Sequence, residues 1–214
     1  MRIVRRFHSA HSGWLEILEE DGERVLDTEK ANYSYGLLQE ILEEGLLHIP
    51  FDCIRNVLIL GLGGGSVVQS LRSRFGYPGR VMAVDIDPVV IRIALEEFGL
   101  AADKQLSVIE ADAGAFVTRC TKKFDLIIID LFIHCEVPSD FYDPPFWLEI
   151  HRLLRSDGVF IFNAAVGRKD IRKTHELQET MSEYFTYLQV NDVGGHNSLL
   201  IGKKSLPGRD LFRT

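Results

Sequence analysis

Three aspartates stand at or just beyond the ends of apolar, strand-like runs of the chain. Asp85 and Asp130 come directly after such runs, and Asp112 comes within three residues of a third. An aspartate in this position is often a helix cap or a turn residue. Ligands of open parallel sheets, however, bind at the carboxyl ends of the strands, where carboxylates can accept hydrogen bonds or protons. The repetition therefore predicts a ligand site at one edge of a sheet.

A glycine-rich loop follows a fourth apolar run. Residues 57–60 lead into Gly61, Gly63, Gly64 and Gly65, and a helical pattern begins after Ser66. Glycine allows a sharp turn and leaves no Cβ between the main chain and a ligand. The free N–H groups of a helix N-terminus favour an anionic or hydroxyl-rich ligand, although a tight turn without a ligand is the alternative. A nicotinamide-type fingerprint expects glycine or alanine where Ser66 stands, which argues against a dinucleotide.

Two of the acids suggest contacts to a nucleoside. Asp85 lies 20 residues after Gly65, at a spacing where an acid accepts hydrogen bonds from ribose hydroxyls. Asp112 follows the next strand, where its side chain could accept from the exocyclic amine of an adenine. Its alternative role is the N-cap of the helix that follows. We predict that the adjacent Ile86 and Ala113 belong to the same binding surface.

The third acid and the segment after it suggest the reacting end of the site. Asp130 could act as a general base or position an incoming amine. His134 is a second acid–base candidate in an aromatic-rich loop that also contains Phe132 and Tyr142. Loops over strand ends often form substrate walls or lids, so we assign these two aromatic residues to the substrate. The alternative is that the loop's aromatic residues pack the edge of the core.

These residues require an alternating series of strands and helices to bring them together. Strand-like runs begin near residues 57, 80, 106, 124 and 159, with helical patterns between them. The rhythm predicts an α/β fold with an open, mainly parallel sheet covered by helices on both faces. Residues 14–26 predict a small β-hairpin before this domain, and residues 184–201 predict two closing strands after it.

Composition narrows the class of protein. The chain has 214 residues, 46% hydrophobic content and a net charge of −7, which argues against binding nucleic acid through its phosphates. The three cysteines have no C-x-x-C spacing, so we expect no disulfide, no metal site and a reducing compartment. With no apolar run long enough to span a bilayer, we expect a cytoplasmic protein without a membrane partner.

The motifs resemble the spermidine synthase-like family, within the class I fold of AdoMet-dependent methyltransferases. The resemblance runs from about Leu15 to the C-terminus. It implies a Rossmann-like, mainly parallel seven-stranded sheet in residues 33–214, whose last two strands form an antiparallel hairpin, and a β-hairpin appendage in residues 1–32. It also implies an AdoMet-type ligand, a substrate contact at Tyr35 and a homodimer.

Three departures from the family pattern concern carboxylates. The family's glycine loop reads G-G-G-D-G-G, and in this chain Gly64 replaces its acid. Of the two aspartates in the family's D-[ST]-[ST]-D-P segment, this chain keeps only the first, Asp130. The family's Y-x-E motif lacks its glutamate after Tyr35. Polyamines and decarboxylated AdoMet are polycations that need several carboxylates to replace lost water. We therefore favour methyl transfer from AdoMet to a small molecule. The alternatives are aminopropyl transfer from decarboxylated AdoMet to putrescine, and a non-catalytic nucleoside-binding or dimeric interaction protein.

Overall fold

The computed structural model describes most of the chain, including five α-helices and eleven strands with complete bounds. The described residues are 2–20, 22–28, 32–34, 36–132, 136–164, 176–177, 179, 181–193 and 197–204. The helices are α1 (Leu37–Leu46), α2 (Ser66–Ser73), α3 (Pro88–Glu96), α4 (Ala113–Arg119) and α5 (Pro144–Leu153). The strands are β1 (Arg2–Ser9), β2 (Gly13–Glu20), β3 (Glu23–Thr28), β4 (Asn32–Ser34), β5 (Asn56–Leu60), β6 (Arg80–Asp85), β7 (Leu106–Glu110), β8 (Phe124–Ile129), β9 (Leu154–Asn163), β10 (Phe185–Val193) and β11 (Asn197–Lys204).

The larger sheet has seven strands in the order β10-β11-β9-β8-β5-β6-β7. The five strands from β9 to β7 are parallel, while β11 runs antiparallel to β9 and β10 antiparallel to β11. The predicted mainly parallel sheet with a closing antiparallel hairpin is therefore confirmed. Because neighbouring parallel strands end at the same edge, β9, β8, β5, β6 and β7 deliver their following residues side by side.

The central strand β5 is apolar on both faces because helices cover both sides of the sheet. Val57 and Ile59 pack with buried residues of α1 and α2, whereas Leu58 and Leu60 pack with buried residues of α4 and α5. Trp147 of α5 is fully buried. The aromatic residues of this helix therefore belong to the core, as the packing alternative for the aromatic-rich segment predicted.

The N-terminal region forms a separate antiparallel sheet in the order β1-β2-β3-β4. The predicted hairpin corresponds to β2 and β3, and the sheet is enlarged by β1 on one side and β4 on the other. Leu15, Ile17 and Leu26 pack against Val90 and Ile93 of α3. The N-terminal sheet is thereby attached to the helix that follows the strand carrying Asp85.

The C-terminal third of the chain differs from the sequence-based prediction at the start of β9. Strand β9 begins at Leu154, earlier than the predicted start near residue 159, and it includes Asp157 and Gly158. The sequence also predicts a helix over residues 170–182 and a turn at Gly194 and Gly195. The described residues of the first range, 176–177, 179 and 181–182, are helical, and both glycines lie outside the described residues. Among the described residues, no helix is both long and apolar enough to cross a membrane.

Candidate active site

The glycine loop after β5 lies directly against the end of β8. Gly61 has φ +89°, and a Cβ added there would stand 2.1 Å from the main-chain oxygen of Asp130. Gly65 has φ +87° at the N-cap of α2, and a Cβ there would meet the side chain of Leu100 at the same distance. Both positions require glycine for conformation and for space. The loop predicted from the sequence is therefore a close-packed turn with its backbone at the sheet edge.

Asp85 holds this loop in place. Its Oδ2 accepts hydrogen bonds from the backbone N–H groups of Leu62 at 3.0 Å and Gly63 at 3.1 Å, and its Oδ1 accepts from Asp87 N–H at 3.0 Å. Burial raises the pKa of Asp85, and these three hydrogen bonds oppose that effect. An ionised carboxylate has about four acceptor positions, so three are used by the backbone and one remains for a ligand.

Asp87 connects the same region to the N-terminal sheet. Its Oδ2 accepts from the hydroxyl groups of Ser9 at 2.5 Å and Ser12 at 2.6 Å, in the turn between β1 and β2. Its Oδ1 accepts from Val89 N–H and Val90 N–H, which makes Asp87 the N-cap of α3. Asp87 therefore caps α3 and also anchors the β1–β2 turn.

The residues predicted beside the nucleoside lie at the ends of β6 and β7. Ile86 is 45% exposed, an unusual position for a large apolar side chain at a sheet edge. Asp112 caps α4 by accepting from Ala115 N–H at 2.8 Å, as its alternative role predicted, and Ala113 is buried in the first turn. Both acids after β6 and β7 thus bind backbone amides, and Ile86 presents an apolar surface next to them.

Asp130 is half-buried at the end of β8 and belongs to a chain of side-chain hydrogen bonds. Asn163 at the end of β9 donates through Nδ2 to Asp130 Oδ1 at 2.9 Å, and Asn197 donates to Asn163 Oδ1 at 2.9 Å. Burial raises the pKa of Asp130 to about 6; the Asn163 hydrogen bond lowers it, and the charge of Asp85 raises it. Within the described part of the chain, Asp130 Oδ2 accepts no hydrogen bond from a side chain. The geometry leaves this oxygen for a ligand.

The remaining predicted residues divide into two groups. Phe132 is half-buried and packs against the cluster beneath α4 and α5. Tyr142 donates its hydroxyl to the carbonyl of Ala164 at 2.5 Å and contacts Phe162 edge to face. Tyr35 and His134 lie outside the described residues, so their predicted roles remain predictions.

Sequence reasoning missed the two asparagines. Asn163 follows an apolar run at the same sheet edge as the aspartates, so the strand-end rule that selected Asp85 and Asp130 could have found it. The prediction considered acids alone. Asn197 carries no comparable signal, because it begins a strand and meets Asn163 only through the antiparallel pairing of β11 with β9.

The residues at this edge suit a nucleoside that carries positive charge. Asp85 and Asp130 are close enough for the charge of one to raise the pKa of the other, and neither forms an ion pair with a described residue. A cation between them would relieve their repulsion. Ile86 offers a surface for a base, and Asp85 has an acceptor position left for a hydroxyl. No cluster of three or more metal-binding side chains occurs among the described residues.

Known proteins resemble this chain in both sequence and fold. Residues 39–192 match the spermine/spermidine synthase domain. The chain is 29% identical to a polyamine aminopropyltransferase of Vibrio vulnificus over 174 residues, covering 79% of this chain and 56% of the relative. It is 30% identical to an eEF1A lysine and N-terminal methyltransferase homolog of Drosophila pseudoobscura pseudoobscura over 155 residues, covering 66% and 23%. The chain thus spans between about a quarter and about half of these relatives.

Solved structures support the fold assignment. A probable spermidine synthase from Corynebacterium glutamicum superposes with a TM-score of 0.79 at 18% identity, covering 95% of this chain and 81% of that one. Human methyltransferase-like protein 13 in complex with SAH gives 0.65 at 22% identity, covering 81% and 83%. The predicted class I methyltransferase-like fold is confirmed. Because the domain match includes most of the chain, the protein belongs to the spermine/spermidine synthase domain family.

Proposed function

We propose that the protein is an AdoMet-dependent methyltransferase whose acceptor is the amine of a small molecule. The observation that carries this proposal is the pair of carboxylates at the ends of β6 and β8, the two strands that flank β5. These carboxylates, Asp85 and Asp130, have no cationic partner among the described residues. A sulfonium nucleoside provides a positive charge for this place. The ligand classes named for the solved relatives, such as the SAH bound to human methyltransferase-like protein 13, support the same choice.

In the proposed binding mode, each group of the nucleoside contacts a residue at the carboxyl ends of the parallel strands. Asp85 would accept from a ribose hydroxyl with the acceptor position that the backbone leaves free. Ile86, which is 45% exposed, would cover one face of the adenine and would be shielded from water by it. Asp112 would accept from the adenine amine while it keeps its bond to Ala115 N–H. The glycine loop would let the sugar approach the main chain closely.

The catalytic part rests on Asp130. AdoMet supplies a methyl group on a positively charged sulfur, which makes that carbon electrophilic. The acceptor nitrogen must lose a proton when it becomes methylated, and Asp130 Oδ2 is the oxygen in position to take it. With a pKa of about 6, Asp130 is mainly ionised at neutral pH and is still a stronger base than an exposed aspartate. Asn163, which accepts a hydrogen bond from Asn197, donates to the other oxygen and so fixes the direction in which Oδ2 points.

Charge favours methyl transfer over aminopropyl transfer. AdoMet carries a carboxylate that offsets its amine, whereas decarboxylated AdoMet and putrescine are each dications. Two partly buried carboxylates can compensate the sulfonium charge that remains on AdoMet. They are less suited to the four positive charges that decarboxylated AdoMet and putrescine bring together. Gly64, which stands where the family has an acid, contributes no carboxylate to the loop.

Aminopropyl transfer is the second candidate, because the Vibrio vulnificus polyamine aminopropyltransferase is similar over 79% of this chain. Both relatives have names that indicate amine acceptors, so the same role for Asp130 would serve either reaction. In this alternative the carboxylates would bind the polyamine, and residues outside the described part would add to them.

The test compares the two nucleosides directly. We expect AdoMet to bind more tightly than decarboxylated AdoMet in calorimetric titrations. Asp130→Asn should bind AdoMet more weakly, because it removes one of the two carboxylates, and at saturating AdoMet it should lose at least tenfold in methyl transfer to a panel of amines. Asp157→Asn, which changes an exposed acid on β9, is the matched control and should behave as the native protein. Tighter binding of decarboxylated AdoMet, with transfer to putrescine, would replace the proposal by the second candidate. Binding without transfer to any acceptor would favour the non-catalytic alternative.

A further inference from the structure

A second concave site lies at the opposite edge of the seven-stranded sheet. A groove of about 450 Å³ runs along the amino ends of β5, β6, β7 and β8. Its floor consists of apolar side chains that include Val81, Leu106 and Phe124. We call it the amino-edge groove. Its basic lining residues are Arg80, Lys104, Lys122, Lys123 and Arg155.

These five cations come from four separate places in the sequence and meet because the strands are parallel. Arg80 begins β6, Lys104 precedes β7, Lys122 and Lys123 precede β8, and Arg155 lies at the start of β9. Lys122 and Lys123 are exposed residues of the loop before β8, and the sheet order places this loop beside the other three cations, in a chain whose net charge is −7.

The positive charge of the groove is only partly compensated. Among the residues that the structure describes, no aspartate or glutamate lines it. Arg155 forms an ion pair with Asp125 at 3.2 Å, and Lys123 donates to the carbonyl of Arg152. The exposed side chains of Arg80, Lys104 and Lys122 form no ion pair with any residue that the structure describes. Like charges gathered around a concave surface create a potential that attracts anions.

We propose that the amino-edge groove binds a small anion that carries several phosphate groups. Its volume lies within the roughly 300–1,000 Å³ of small-molecule sites. Lysine and arginine are the side chains that bind phosphates, and the groove adds amide and hydroxyl donors from Asn56, Gln105 and Ser107. The apolar floor offers a surface for an organic part of the ligand. The shared chemistry is a polyphosphate, which a nucleotide or an inorganic polyphosphate supplies.

The experiment measures binding at this groove without using transferase activity. Inorganic tripolyphosphate and GTP are titrated calorimetrically into the full chain in the presence of saturating S-adenosylhomocysteine, which occupies the nucleoside site at the other edge. We expect both probes to bind, and the double variant Lys104→Glu/Lys122→Glu to lose at least tenfold in affinity for each. Tighter binding of GTP would identify a nucleotide as the ligand class, and equal binding would identify the polyphosphate alone.

A charge-matched variant distinguishes binding at a defined site from non-specific electrostatic attraction of the anion to the protein. Arg24→Glu/Arg2→Glu reverses two exposed cations on the N-terminal sheet, away from the groove, and should bind both probes like the native protein. Equal loss of affinity in the two double variants would overturn the proposal, since it would indicate non-specific ionic association. Absence of binding to the native protein would overturn it as well. Thermal unfolding of each variant verifies that the substitutions at exposed positions leave the fold intact.

Discussion

Replacing Asp130 by asparagine should stabilise the protein at neutral pH while it abolishes proton transfer. Burial raises the pKa of this carboxyl from 3.8 to about 6, so the folded state binds its proton more tightly than the unfolded state. The stability from this preference is present below pH 4 and is lost as the pH rises through 6. Asparagine has nearly the same shape, keeps an oxygen for the Asn163 hydrogen bond, and carries no charge at any pH.

The magnitude follows from the two pKa values. At 1.36 kcal/mol per pKa unit, the variant should gain about 3 kcal/mol over the native protein at pH 8, and only about 1 kcal/mol at pH 4.5. The assay is urea unfolding of both proteins at pH 4.5 and pH 8, followed by far-UV circular dichroism. Asp157→Asn serves as the control because its carboxyl is exposed, and its stability difference from the native protein should stay small at both pH values.

The pH dependence of the stability difference decides whether the pKa of Asp130 is raised in the folded state. If the stability difference between Asp130→Asn and the native protein were the same at pH 4.5 and pH 8, the carboxyl would not have a raised pKa in the folded state. A gain in stability that is larger at pH 8 than at pH 4.5, together with loss of transfer, would indicate that this position is kept for chemistry at the expense of stability.

Three other substitutions test the surroundings of the site. Asn163→Ala removes a hydrogen bond that lowers the pKa of Asp130, so the acid limb of the pH–rate profile should move to higher pH; an unchanged limb would separate the asparagine from the base. Gly61→Ala should destabilise the fold by more than about 1 kcal/mol, because of its positive φ and the nearby carbonyl, and should weaken nucleoside binding in calorimetry. The double variant Ser9→Ala/Ser12→Ala removes two hydrogen bonds to the Asp87 carboxylate, each worth about 1.5–3 kcal/mol, and should lower the melting temperature. An unaltered melting temperature would contradict the anchoring role of the β1–β2 turn.

The sequence predicted the parallel sheet well because its signals are local. Apolar runs of four residues followed by glycine or acid define β5, β6 and β8, and their ends set the position of the site. The early start of β9 could not be predicted, since Arg155, Ser156 and Asp157 have polar side chains and their place in a strand depends on pairing with its neighbours.

Contacts between distant parts of the chain account for what the sequence could not predict. The bond between Asn163 and Asp130 joins residues 33 positions apart, and that between Ser9 and Asp87 joins residues 78 apart. The roles of Asp85 and Asp112 also depend on the fold, because their carboxylates already bind backbone amides. The cations of the amino-edge groove become neighbours only once the strand order is known.

The anchoring of the β1–β2 turn by Asp87 makes the N-terminal sheet a thermodynamic partner of the nucleoside site. The turn contacts Asp87, the N–H of Asp87 binds Asp85, and Asp85 holds the glycine loop. Linkage is reciprocal: if docking of this sheet favours the binding-competent loop, then a ligand in the loop must favour docking by the same factor. Amide hydrogen exchange in β1 and β2 should therefore slow when a nucleoside binds at the glycine loop.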